Sequence, residues 1–139
     1  MTAPTTDELG VLSARIFFAY DEDALSAAAV ALLERKLPVL QRYASITLRI
    51  DGHCDERGSD EYNIALGRRR ALAVMRYFTD RGIDSLRLAT ASFGREIPLV
   101  PSVGEESWAM NRRAEFQVQG IPAIVGKAPL FIEGNTNRF

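Results

Sequence analysis

The pattern of apolar and polar positions divides the chain into short elements that alternate between two periods. Ala14-Arg15-Ile16-Phe17-Phe18 is an apolar, aromatic run suited to a first strand, and it stops at the acidic Asp21-Glu22-Asp23. From Ala24 to Tyr43 the apolar positions Leu25, Ala29, Leu32, Leu33, Leu40 and Tyr43 recur at near-helical spacing, which predicts a helix capped by Asp23. Pro38 should kink this helix or end it early, because proline lacks a backbone N–H. Ile46, Leu48 and Ile50 then alternate with Thr47, Arg49 and Asp51, the two-residue period of a strand with one buried face.

Gly52 to Gly58 is a polar loop. Ser59 can cap a second helix, whose first turn carries Asp60 and Glu61, the charge that suits a helix start; Gly82 ends it. Leu86 to Phe93 reads as a third strand. Gly94 to Asn111, with Pro98, Pro101 and Gly104, reads as a long loop with room for one helical turn around Glu105–Ala109. Ala114, Phe116 and Val118 alternate with Glu115, Gln117 and Gln119 as a fourth strand.

This order predicts an α/β (α+β) two-layer sandwich, with two main helices on one face of a four-stranded mixed sheet. The first β-α-β unit should be a right-handed crossover between parallel strands, so that the loops starting at Asp21 and Gly52 share one sheet edge. Residues 1–13, small and polar with Pro4 and Gly10, read as a flexible leader, and residues 14–119 as the folded domain. Residues 120–139, with Pro122 and Pro129 between isolated apolar pairs, read as a C-terminal extension to which the sequence gives no role.

Composition narrows the function classes. A chain of 139 residues fits one domain, and 47% hydrophobic with 25% charged residues is ordinary for a soluble globular one. Seventeen basic against eighteen acidic side chains leave a net charge of −1, so no broad positive field exists to hold nucleic acid or anionic lipid. No run of about 18 apolar residues appears, and Met1 to Gly10 has neither a basic start nor an apolar stretch. A cytosolic protein fits that description, and so does one from which a signal peptide and a lipid-bearing cysteine have been trimmed. The single cysteine, Cys54, excludes an internal disulfide.

The candidate chemistry gathers in the loop Gly52-His53-Cys54-Asp55-Glu56-Arg57-Gly58 and at Arg70. On a helix starting near Ser59 the inward stripe runs Leu66, Arg70, Ala73, Val74, Tyr77, so a guanidinium interrupts an apolar face. A cation there requires a partner, and the planar fork of arginine suits a carboxylate. Asp55, Asp21 or the carboxylate of a ligand would serve, and an internal Arg70–Asp55 pair that only fixes the loop fits the pattern as well. His53 reads as structural, Cys54 as a small buried side chain, and Arg112 and Arg113 as charge capping the last strand. There is no phosphate loop, no nucleophile elbow and one histidine only, so no enzyme, metal or cofactor is expected. Asp21, Asp55 and Glu56 could hold a hard divalent ion, or Asp21, His53 and Asp55 a hydrolytic one, but nothing in their spacing demands it.

Three motifs then fall in order: Gly-His-Cys-Asp-Glu-Arg-Gly-Ser-Asp-Glu-Tyr-Asn at 52–63, Leu66-Gly67-Arg68-Arg69-Arg70-Ala71, and Asn111-Arg112-Arg113. They resemble the signature of OmpA-like domains over residues 14–119. The Asp-Glu-Arg-Gly form and the opening Phe18-Ala19-Tyr20-Asp21 resemble the peptidoglycan-associated lipoprotein branch. The resemblance implies a periplasmic, outer-membrane-associated domain that binds the diaminopimelate-containing peptide stem of peptidoglycan without covalent chemistry. It implies Tol-system partners too, and an N-terminal lipid anchor not present in this chain. At the matching positions Asp55 faces the ligand's ammonium and Arg70 its carboxylate, while Asp21, Asp23 and Asn63 border the same pocket and Arg112 or Arg113 completes the rim. The sequence departs from the wider pattern at Gly67, where many members carry Ser, and at Cys54, where Thr or Ala is common. A wall-anchoring domain of a larger flagellar-stator or secretion machine would carry the same motifs. Because Arg70 lies about 16 Å along its helix from Ser59 at 1.5 Å per residue, the Asp55 loop must fold back over that helix.

Overall fold

The computed structural model describes residues 3–122, so most of the C-terminal extension (residues 123–139) lies outside the described residues. Four helices and four strands run in the order α1 (Thr6–Ser13), β1 (Ile16–Phe17), α2 (Ala27–Arg42), β2 (Thr47–His53), α3 (Asp60–Thr79), β3 (Leu88–Gly94), α4 (Glu105–Asn111) and β4 (Arg113–Gln119), with one 3-10 turn at Ser85–Arg87. The sheet order is β1-β4-β2-β3. β4 is antiparallel to both β1 and β2, whereas β2 and β3 are parallel, so the sheet is mixed. β1 and β2 therefore run in one direction, as the sequence predicts, with β4 inserted between them.

The alternation in β2 and β4 separates two faces. Leu48 and Ile50, opposite Val118 and Phe116, turn towards the helices and join Leu33, Leu40, Val74 and Phe78 in the core. Arg49 and Asp51, opposite Gln117 and Glu115, form a polar outer face held by an Arg49–Asp51 ion pair at 2.7 Å. α3 is anchored where expected: the Ser59 side chain accepts from the Tyr62 N–H, with Asp60 and Glu61 in the first turn. No helix among the described residues is long and apolar enough to cross a membrane.

Several sequence expectations require correction. The expected flexible leader, residues 1–13, holds α1, closed by a capping box between Thr5 and Glu8 and burying Leu12 completely. α2 is capped by Ser26 and not by Asp23, and it runs on to Arg42 beyond Pro38. The third strand starts at Leu88 because Ser85–Arg87 winds into a 3-10 turn capped by Asp84. The helical turn near Glu105 is a helix of seven residues.

A fully buried lysine, its pKa lowered by burial to about 7, explains why so short a helix as α1 is held. Lys36 Nζ, on α2, donates to the carbonyls of Val11, Leu12 and Ala14 at 2.7, 3.0 and 2.7 Å and lies 4.3 Å from the centre of the Phe116 ring. These are carbonyls that the end of α1 leaves without intrahelical donors. Lys36→Met keeps the aliphatic stem and removes the donor. It is expected to lower stability by about 2–3 kcal/mol, the cost of stranding buried acceptors of a charged donor, read as a shift in the urea midpoint at unchanged slope.

Candidate functional site

β1 and β2 deliver their following loops to the same sheet edge, where α3 also begins. Tyr20, Asp21, Cys54, Asp55, Arg57, Gly58, Tyr62, Asn63, Leu66 and Arg70 line one narrow cleft of about 70 Å³. The Asp55 loop thus does fold back towards Arg70, and Asp21, Asp55, Asn63 and Arg70 meet there.

Arg70 is fully buried. Its Nε donates to Glu22 O at 2.8 Å, Nη1 to His53 O at 2.9 Å and Nη2 to Ala19 O at 3.1 Å, so it ties the loop after β1 to the end of β2. Three of its five N–H groups are used in this way. The internal Arg70–Asp55 ion pair does not form. All three acceptors are neutral carbonyls, and the positive charge lacks a bonded carboxylate among the described residues.

Asp55, 5% exposed, is bonded instead to Arg57. Oδ1 accepts from the Arg57 backbone N–H at 3.0 Å and from Nε at 3.1 Å, Oδ2 accepts from Nη2 at 2.8 Å, and Arg112 Nη1 stands 3.7 Å from Oδ2. Burial pushes the Asp55 carboxyl up. The hydrogen bonds and charge of Arg57, with the charge of Arg112, outweigh that and hold it below the usual aspartate range.

The remaining expected residues divide. Asn63, buried, donates from Nδ2 to Arg57 O at 2.9 Å and fixes the loop. Asp21 accepts from the Tyr62 hydroxyl and has a left-handed backbone, φ 57°, which aspartate tolerates better than most side chains. Asp23 is not among the residues lining the cleft; it pairs with Arg69 at 3.0 Å. Of the two rim candidates, Arg112 lies beside Asp55, held by Phe18 O and Glu105, whereas Arg113 points to the outer face and bonds Glu115. Cys54 is buried, its Sγ 3.2 Å from Asn63 O. His53 is buried and stacked on Phe93, its pKa lowered by burial to about 4, and its Nδ1 has no partner among the described residues.

Sequence reasoning left Arg57 without a role. Its guanidinium lies between two aromatic rings, 4.0 Å from the centre of Tyr20 and 3.9 Å from that of Trp108, while Trp108 Nε1 donates to Glu56 at 2.8 Å. The only signal in the sequence was its place two residues after Asp55. The rings come from β1's following loop and from α4, and no local pattern joins them.

Comparisons with known proteins identify the family and the fold. The family model described as "OmpA family" matches residues 17–112. A peptidoglycan-associated lipoprotein of Brucella melitensis is 41% identical over 106 residues, which are 76% of this chain and 63% of the relative, so the chain spans less than two thirds of that relative's length. The crystal structure of the peptidoglycan-associated lipoprotein from Burkholderia pseudomallei superposes with a TM-score of 0.73 at 35% identity, covering 76% of this chain and 89% of that one. The C-terminal domain of Helicobacter pylori MotB shares the fold, with a TM-score of 0.70 at 21% identity over 76% of this chain and 84% of its own. With the motifs, the mixed sheet and the family model agreeing over most of its length, the chain belongs to the OmpA family.

Proposed function

We propose that this chain binds the diaminopimelate-containing peptide stem of peptidoglycan without covalent chemistry, and in doing so tethers the outer membrane to the cell wall from the periplasm, with Tol-system proteins as partners. One observation carries the reading: a fully buried arginine that has no bonded carboxylate among the described residues and a buried aspartate line the same cleft. The free end of diaminopimelate is a zwitterion, so its ammonium suits Asp55 and its carboxylate suits Arg70, each as a charge-assisted hydrogen bond. Asp21 and Asn63 support the reading as groups lining the cleft, and Arg112, outside the lining, stands 3.7 Å from Asp55. Asp23, engaged by Arg69 outside the cleft lining, is a weaker candidate for contact. Two of the three named relatives are peptidoglycan-associated lipoproteins, and the family match at residues 17–112 covers the part of the chain that holds the cleft.

Calorimetric titration with a soluble diaminopimelate stem peptide tests this. Asp55→Asn keeps the shape and removes the anion, and it is expected to weaken binding by about thirtyfold, corresponding to ~2 kcal/mol for a hydrogen bond between charged partners. Because the Asp55 carboxyl is held below its ordinary value, it stays ionised through the ordinary aspartate range and is neutralised only as pH falls through that lowered value. Affinity is therefore expected to stay level from pH 7 to pH 5. Unchanged affinity in Asp55→Asn, or no binding by the unaltered chain, defeats the proposal.

A further inference from the structure

Resting on the reading above, we infer that Arg57 occupies the seat of the ligand's ammonium in the free protein, and so sets a threshold that only a ligand bearing both charges can cross.

A carboxylate offers about four lone-pair directions. Arg57 fills three of those on Asp55, with its N–H, Nε and Nη2 at 3.0, 3.1 and 2.8 Å, and Arg112 Nη1 stands 3.7 Å from Oδ2. An ammonium arriving at Asp55 thus meets an anion already forked by one guanidinium and flanked by another. The Arg57 side chain is 31% exposed and is held from both sides by the Tyr20 and Trp108 rings, so it is ordered without being locked in the core.

Exchanging Arg57 for an ammonium replaces one cation by another and breaks a bidentate pair, so the exchange alone yields no binding. The surplus arises at Arg70, where a ligand carboxylate meets a buried charge whose hydrogen-bond acceptors, among the described residues, are all neutral carbonyls. An amine without the carboxylate carries the whole cost of displacing Arg57 and gains nothing at Arg70. Arg57 is then a specificity-determining residue: its displacement cost is common to every cation, and one-charge ligands fall below the threshold.

The chain has a single tryptophan, Trp108, and it touches Arg57, which gives a direct readout. Two stem tripeptides, both amidated at the C-terminal α-carboxyl, are titrated, one with meso-diaminopimelate and one with L-lysine at the third position, the second having the side-chain amine but not the carboxylate beside it. Arg57→Gln is expected to bind the diaminopimelate tripeptide about tenfold more tightly than the unaltered chain, the scale of one partly exposed forked ion pair with its ring contacts, and to bring the lysine tripeptide into the measurable range. The unaltered chain should change its Trp108 emission on binding, and Arg57→Gln should not. Trp108→Leu, which loosens Arg57 from outside the cleft lining, should tighten binding to a smaller degree and carries the test should Arg57→Gln fail to fold. Equal or weaker binding by these variants, or unchanged Trp108 emission in the unaltered chain as it binds, overturns the inference and leaves the proposed function standing. Failure of the unaltered chain and of Arg57→Gln alike to bind overturns both.

Discussion

Gly52→Ala is expected to destabilise the domain by about 3–5 kcal/mol, at or beyond the upper end of the cost of overpacking a close-packed interior. A methyl group on Gly52 would stand 1.8 Å from the Gly67 carbonyl oxygen, 2.5 Å from its carbonyl carbon and 2.9 Å from its Cα. All three are backbone atoms of α3, so no side-chain rotamer can relieve the overlap. The helix has to move away from β2, and with it Leu66, Ala71, Val74 and Phe78 lose their fit against the sheet. Gly67→Ala offers the contrast. Its methyl would meet Ser92 Oγ at 2.3 Å and Gly52 O at 3.0 Å, and the serine can turn at the loss of its bond to Ile64 O. A substantially smaller loss is expected there. Urea unfolding of both variants decides the matter, and a Gly52→Ala midpoint equal to that of the unaltered chain would mean that α3 does not lie this close to the strand.

That contact also explains how much of the site was legible beforehand. The alternation of β2 and the Ser59 cap are local patterns, and both are found where the sequence puts them. Arg70 stood out because a charge on an apolar stripe is visible within a single helix. The shared sheet edge followed from strand direction, which survives the insertion of β4 between β1 and β2. What escaped depends on residues far apart in the chain. α1 has eight residues and a weak apolar face, and the donor that ends it, Lys36, comes from the following helix. Ser26 displaced Asp23 as the cap of α2 because either residue type serves and the position is chosen by where the chain turns; Asp23 then pairs with Arg69. Arg57 escaped for a related reason: its pairing with Asp55 is local, but the two rings that hold it come from Tyr20 and Trp108.

Arg70→Lys is expected to reduce affinity for the diaminopimelate stem peptide by about a hundredfold while keeping the formal charge. Guanidinium and ammonium differ in shape: the first presents five N–H groups in a rigid plane, the second three at one point. Arg70 uses that plane to reach Glu22 O, His53 O and Ala19 O, which lie on two different segments, and the N–H groups left over are those available to a ligand. A lysine ammonium that reaches into the cleft has to leave at least one of the carbonyls stranded. Two effects should therefore appear together, a loss of binding and a loss of about 2 kcal/mol of stability from a buried unmatched acceptor. They can be separated. Binding is measured at a temperature where circular dichroism shows the variant folded, with the free-acid stem peptide and with one whose side-chain carboxylate is amidated. If Arg70 is the carboxylate's partner, amidation weakens binding strongly in the unaltered chain and adds little in Arg70→Lys, because the interaction it removes is already gone. An equal penalty for amidation in both proteins would assign the carboxylate to another group and leave Arg70 the role of a tie between the β1 and β2 loops.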